Sequence, residues 1–238
     1  MIVNYTEHGW NIIAQPAHGL LAAEICAHWK ATERPCRWVE TILATAAHDD
    51  VYNEFEDEDL LNEAGGPRDF KQSVFRSDYC ERLLKMARAR SLYIALLTSR
   101  HIQFVYGNDS GAFSFLKKLK KEETGWLKIL GMKRKEVSQA YLLMQFCDAF
   151  SLMVCQGLIA PEGRQTEISE GPGGKRYFMA STGSNQIQIS PWPFESQEFT
   201  LRWESRLLDK LIFEELTDFN ISFEQASVVQ HELLVHAG

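Results

Sequence analysis

The run Val39-Glu40-Thr41-Ile42-Leu43-Ala44-Thr45-Ala46-Ala47-His48-Asp49-Asp50 decides how the chain is read. Val39, Ile42, Leu43, Ala46 and Ala47 recur at helical spacing, so the segment from about Pro35 forms a helix that stops on three titratable residues. Adjacent residues on a continuous helix point about 100° apart, so a His-Asp pair faces one ion only where the helix ends and the second residue swings free. The stop near Asp50 provides that ending.

Upstream, Pro16 suits the first turn of a helix, and Leu20, Ala23 and Ala27 carry it to Trp29. The β-branched and aromatic residues of 2–13, on either side of Gly9, read as a short hairpin. Downstream, Trp38 to Pro67 has no Lys or Arg, and its acidic run Glu54, Glu56, Asp57, Glu58, Asp59 ends in Gly65-Gly66-Pro67, as a solvated loop would. That run lacks the alternating spacing of a calcium loop. A capping-box pattern at Asp78 and Glu81 opens one long helix to Tyr106, with the stripe Leu83, Ala87, Ile94, Leu97, His101, Phe104. Further helices carry Phe113, Leu116 and Leu119, then Val137, Tyr141, Met144, Asp148, Leu152 and Cys155 up to Gly157.

After Gly157 glycines punctuate short alternating segments. Gln186 to Ile189, Phe199 to Trp203 and Val228 to Val235 read as strands, with a short helix between Phe213 and Ala226. The expected architecture is one mainly α domain over 1–238: a helical core at 16–157, with small β-rich elements at 1–14 and 158–238 packed on it, the hairpin being placed to join the same small sheet as the tail.

The chain has 238 residues, 45% hydrophobic and 24% charged, with a formal net charge of −7, within the range of one globular unit. Its acidity argues against a nucleic-acid partner, and its apolar runs are shorter than the roughly 20 residues of a membrane span. Five cysteines without C-x-x-C spacing, and an N-terminus without a basic or apolar leader, point to the cytoplasm. No glycine-rich phosphate loop and no G-x-S-x-G elbow occurs.

His101 and Asp148 sit on stripes that otherwise belong to a core. An unpaired buried carboxylate is costly, so Asp148 asks for a cation. His18, one turn into the first helix, and His48-Asp49 at the end of the second are its candidate partners. Imidazole and carboxylate groups from three helices form a mixed N/O set suited to a divalent transition metal. The plainer readings are a helix-terminal histidine at His48, a core histidine at His101, and a salt bridge from Asp148 to Arg82, Arg88 or Arg100. The lysines from Lys117 to Lys135 read as a solvated helix face, or as an attractor of anionic substrates.

In this order, His18, His48-Asp49 and Asp148 resemble the H…HD…D signature of the HD-domain superfamily of metal-dependent phosphohydrolases. Gln15-Pro16-Ala17-His18, Ala47-His48-Asp49-Asp50, Gly66-Pro67-Arg68-Asp69-Phe70, Ser99-Arg100-His101 and Ser190-Pro191-Trp192-Pro193-Phe194 resemble an uncharacterised, mainly bacterial domain-of-unknown-function family with a similar helical core. That family tends to have Gly-Trp where this chain has Val51-Tyr52. The resemblance implies that His18, His48, Asp49 and Asp148 hold a divalent ion (Fe, Mn, Zn or Mg) whose activated water attacks a small phosphorylated or nucleotide-like substrate. It leaves His101 as a further ligand, a ligand to a second metal, or the proton donor, and Asp50 as general acid or orienter of the water. Arg68 and Arg100 are candidate phosphate forks. A homodimer is compatible with this reading. The alternatives are a non-catalytic sensor or interaction protein that docks through Trp192, Phe194 and Trp203, and a di-iron oxygenase-like activity.

Overall fold

A computed structural model describes residues 1–56 and 58–238; Asp57, in the acidic run, lies outside the described residues. In chain order the elements are β1 (Ile2–Thr6), β2 (Gly9–Ile13), α1 (Gln15–Ala27), α2 (Trp38–Ala46), α3 (Ser77–Arg90), α4 (Leu92–Val105), α5 (Phe113–Leu130), α6 (Arg134–Cys155), β3 (Thr166–Glu170), β4 (Arg176–Gly183), β5 (Gln186–Ser190), β6 (Glu198–Leu208), α7 (Leu216–Gln225) and β7 (Ser227–Ala237).

The expected mainly α, HD-like core with a small β extension is corrected. The chain is about 47% helical, and its strands form a single mixed, curled seven-stranded sheet, a half-barrel. The strand order is β1-β2-β6-β7-β5-β4-β3, antiparallel except for the β5–β7 pair. The N-terminal hairpin joins the C-terminal strands directly, through Trp10 opposite Leu208 and Ile12 opposite Arg206. The hairpin, open in the sequence to joining the tail's sheet, does so, and the sheet is larger than expected; local periodicity contains no term for pairing across some 195 residues, so neither its extent nor its register could be read.

Strict alternation buries one face of that sheet. Tyr177 and Met179 of β4, Ile187 and Ile189 of β5, Leu201 of β6, and Leu233 and Val235 of β7 form one core with Leu21 and Ile25 of α1 and Phe146 and Phe150 of α6. A second, mainly helical core joins α3, α4, α5 and α6 with Ala44 of α2 and Val51 of the turn after it. The motif at 190–194 clamps the end of α1 to the sheet. Lys30 N–H donates to the Pro193 carbonyl (3.1 Å), Glu195 N–H donates to the His28 carbonyl (2.9 Å), and Phe194 is fully buried against Trp29. Phe194 is therefore a core residue, and the expected aromatic docking surface loses its centre.

The long helix expected from Asp78 to Tyr106 is two helices. Ser91 adopts an extended conformation (φ −166°, ψ 159°), and its hydroxyl caps α4 by accepting from Ile94 N–H at 3.1 Å. The hydrophobic stripe runs through this break, which hid it. The capping box does not form either: the N-cap of α3 is Arg76, whose guanidinium pairs with Asp78 at 2.7 Å. α6 is the one helix among the described residues long and apolar enough to cross a membrane, with a mean hydropathy of 1.2. Of that window 61% is buried inside the molecule, as befits the central helix of both cores.

At one point α1 and α2 touch through backbone. A Cβ built on Gly19 would lie 2.3 Å from the Ala46 carbonyl oxygen, so only glycine admits the approach. Gly19→Ala is therefore expected to spread the two helices and cost about 1–3 kcal/mol, read as a lowered melting temperature. An unchanged melting temperature would show that the helices part without penalty.

Candidate metal centre

The Gly19–Ala46 contact places the first turn of α1 beside the end of α2. α2 stops at Ala46, and His48 and Asp49 lie in the following turn, clear of helical geometry. His48 Nδ1 lies 2.7 Å from the Thr45 carbonyl, which can only accept. The Nδ1 atom therefore carries a proton, and in the neutral ring Nε2 presents a lone pair. His18 is fixed in the same way from α6. Ser151 Oγ donates to the Asp148 carbonyl (2.9 Å) and so accepts from His18 Nδ1 (2.9 Å). The Nε2 of His18 is left facing inward too.

Both Nε2 atoms converge on Asp148. His18 Nε2 lies 3.1 Å and His48 Nε2 3.2 Å from Asp148 Oδ1, and the two nitrogens are 3.2 Å apart. Asp49 Oδ2 is 3.5 Å from His48 Nε2, and Asp49 Oδ1 is 3.6 Å from His101 Nε2. The two inner histidines are fully buried, and His101 and Asp148 are 4% and 7% exposed. Three atoms that offer only lone pairs repel at such distances unless a positive charge sits among them. No lysine or arginine pairs with Asp49 or Asp148 among the described residues: Arg82 is bound to Glu56, Arg100 to Glu123, and Arg88 covers the Trp126 ring.

The spacings fit a metal. Ligands at about 2.1 Å from one ion are roughly 3.0 Å apart along an octahedral edge and roughly 3.4 Å apart along a tetrahedral one. The separations of 3.1 and 3.2 Å among His18, His48 and Asp148 fall inside that interval, and Asp49, at 3.5 Å from His48, lies just beyond it. A donor set of imidazoles and carboxylates, the His18, His48, Asp49 and Asp148 atoms with His101 beside them, suits Mn, Fe or Zn better than Mg, which prefers oxygen alone. The Nδ1 contacts of His18 and His48 are the outer hydrogen bonds that orient metal-ligating imidazoles.

Without an ion the positive charge is a proton. Burial opposes a charge on His48, but the Asp49 and Asp148 carboxylates outweigh it and hold its pKa up at about 10. Burial likewise disfavours ionised Asp49 and Asp148, yet the neighbouring histidines hold Asp49 down at about 2 and Asp148 well below the ordinary carboxylate range.

His101, Asp49 and Asp148 line a cavity of about 190 Å³, together with Gln15, Arg68 and Arg76. The turn at 66–70 delivers Arg68, where Arg68 N–H donates to the Leu60 carbonyl at 2.8 Å and the guanidinium pairs with Asp59 and the Gln72 carbonyl. Arg76 stacks 3.8 Å over Tyr79, and the hydroxyls of Tyr52 and Tyr106 meet at 2.7 Å on the same wall. The structure thus brings His18, His48, Asp49, Asp148 and His101 together and sets Arg68 beside them. It places two expected residues elsewhere. Asp50 points away to Arg90 (2.9 Å), and Arg100 faces α5, where it pairs with buried Glu123 at 3.2 Å. Neither lines the cavity: Arg100 precedes His101 on α4 and so points roughly 100° from it, while Asp50, in the turn after α2, is drawn outward by Arg90. Sequence reading missed Ser151, Gln15 and Arg76. Ser151 follows Asp148 by three residues on the same helical face, which is the signal that could have found it.

The pH dependence follows. His48 is raised, so in the metal-free protein its contribution to stability is complete below about pH 6.5 and is lost as pH rises through about 10. Asp49 is depressed, so its contribution is complete above its ordinary value and is lost as pH falls through about 2. An incoming ion must displace the His48 proton. The logarithm of divalent-ion affinity is therefore expected to rise by about one per pH unit from neutrality and to level off near pH 10, as measured by chelator competition. A flat profile would mean that His48 is not a ligand.

The chain matches, over residues 1–210, the model of a family described as "Protein of unknown function (DUF3891)". Neither the curated proteins nor the solved structures include a match. With 210 of its 238 residues covered, the metal-centre helices among them, the chain belongs to the DUF3891 family.

Proposed function

We propose that the protein is a metal-dependent phosphohydrolase acting on a small phosphorylated molecule. The observation that carries this reading is a buried ring of imidazole and carboxylate donors at metal-ligand spacing on the floor of a cavity whose wall holds Arg68 and Arg76. The likeness to HD-domain hydrolases enters only through the order and chemistry of these donors, since the expected HD-like architecture is not the one observed.

His18, His48, Asp49 and Asp148 would hold the ion. Bound there, a divalent metal supplies Lewis acidity and lowers the pKa of a water molecule. Ser151 and the Thr45 carbonyl fix the ring orientation and tautomer of His18 and His48, so neither imidazole must reorganise during a turnover. Arg68 and Arg76 supply planar guanidinium donors that match phosphate oxygens, and Asp59 and Asp78 limit their rotation. His101 is buried, lines the cavity, and keeps Nδ1 free of any protein partner among the described residues. An imidazole placed so can hand a proton to a leaving oxygen.

Two variants test the assignment. Asp148→Asn is expected to abolish metal retention, because the amide keeps the shape but loses the charge that balances the ion. His101→Gln is expected to keep the metal and lower kcat by about 10²-fold or more on a phosphoester, as removal of a general acid does. Loss of metal from His101→Gln would make His101 a ligand instead. Metal binding by the wild type without cleavage of any phosphoester would favour the sensor over the enzyme.

A further inference from the structure

Two buried oxygens at the cavity have no use in the metal centre. Gln15, 5% exposed, donates its Nε2 toward Asp49 Oδ2 at 3.5 Å. The carboxylate settles which way the amide lies, since the reverse orientation would set oxygen against oxygen. Gln15 Oε1 is then left with no donor among the described residues. Glu54, 2% exposed, binds the Met1 ammonium (2.8 Å) and Gln15 N–H (3.0 Å) through Oε1 alone, and its Oε2 also lacks a donor. Both residues line the cavity that holds Asp49, Asp148 and Arg68.

A buried acceptor without a donor is costly, and a ligand that brings the donor removes the cost. Two such acceptors beside an arginine describe a ligand with O–H groups at one part and an anionic phosphate at another. Glu54 already faces an ammonium, so a neutral hydroxyl suits its second oxygen better than another cation does. The volume of about 190 Å³ is below the roughly 300–1,000 Å³ of drug-sized pockets, which selects a small molecule. Resting on the phosphohydrolase reading, we propose that the substrate is a phosphate monoester of a small polyol or sugar, whose free hydroxyls donate to Gln15 Oε1 and Glu54 Oε2 while its phosphate meets Arg68 and the metal centre. In the reaction a water oxygen bonds to phosphorus, the ester P–O bond breaks, and the leaving alkoxide takes a proton, so that free polyol and inorganic phosphate result.

The test compares ribose 5-phosphate with n-pentyl phosphate, which has five carbons and no hydroxyl, on the metal-loaded protein. The wild type is expected to favour ribose 5-phosphate by about 30-fold or more in kcat/KM, because the analogue leaves both acceptors unpaired. Gln15→Met keeps length but removes both the acceptor and the amide's donation to Asp49. At saturating metal it is expected to cut that ratio at least fivefold, a loss that reports on the acceptor because a weakened metal centre lowers both esters alike and leaves their ratio unmoved. Equal kcat/KM for the two esters, or a ratio unmoved in Gln15→Met, overturns the proposal and leaves the hydrolase reading intact. Should neither ester be cleaved, calorimetric binding decides. At least tenfold tighter binding of ribose 5-phosphate supports the ligand class although the hydrolase reading fails, and equal or undetectable binding of both sinks the proposal. Should Gln15→Met fold poorly, the wild-type comparison alone decides.

Discussion

Two imidazole nitrogens and a carboxylate oxygen, mutually 3.1 to 3.2 Å apart and shut away from water, hold together only around a positive charge. Much of the surrounding structure serves to impose that arrangement. The Gly19–Ala46 contact sets the separation of α1 from α2, the end of α2 turns His48 and Asp49 inward, and Ser151 ties α1 to α6 through His18. Three elements are thereby committed before any ion arrives. An ion bound there would require little ordering, since the rings and their tautomers are already chosen.

The sheet supplies the rigidity behind this. α1 packs against α2, α6 and β6, and α6 packs on the same sheet face through Phe146 and Phe150. Because β2 pairs with β6, the strand that leads into α1 is anchored to the C-terminal strands. The position of His18 therefore depends on residues near both ends of the chain. The correction from a mainly α fold to a half-barrel with helices thus bears on the site itself, because the sheet is part of what positions His18.

What the sequence discloses is local. The strands at Gln186–Ser190 and Ser227–Ala237 announce themselves by alternation, and α6 by its stripe. The burial of Asp148 follows from that stripe alone. What it conceals is non-local or masked by continuity: the pairing of β2 with β6, and the break at Ser91, where apolar spacing continues across two helices. β3 and β4 were hidden for another reason, since Gly171, Gly173 and Gly174 lie between them and Gly183 ends β4, so that each reads as part of a glycine-rich loop.

Within the site the same distinction has a sharper form. Asp50 and Arg100 were proposed because each adjoins a site residue, and both point away, Asp50 to Arg90 and Arg100 to Glu123. The residues that support the site lie three positions from its members: Thr45 before His48, Ser151 after Asp148, and Gln15 before His18. Along a helix, three residues is the separation that returns a side chain or a carbonyl to the same face, whereas one residue rotates it away; His48 and Asp49 converge because α2 has already ended. Supporting groups for a helical metal centre are thus to be sought at i±3 and i±4. Read that way, the sequence around His18, His48 and Asp148 already contains the amide, the carbonyl and the hydroxyl that the structure places around the centre.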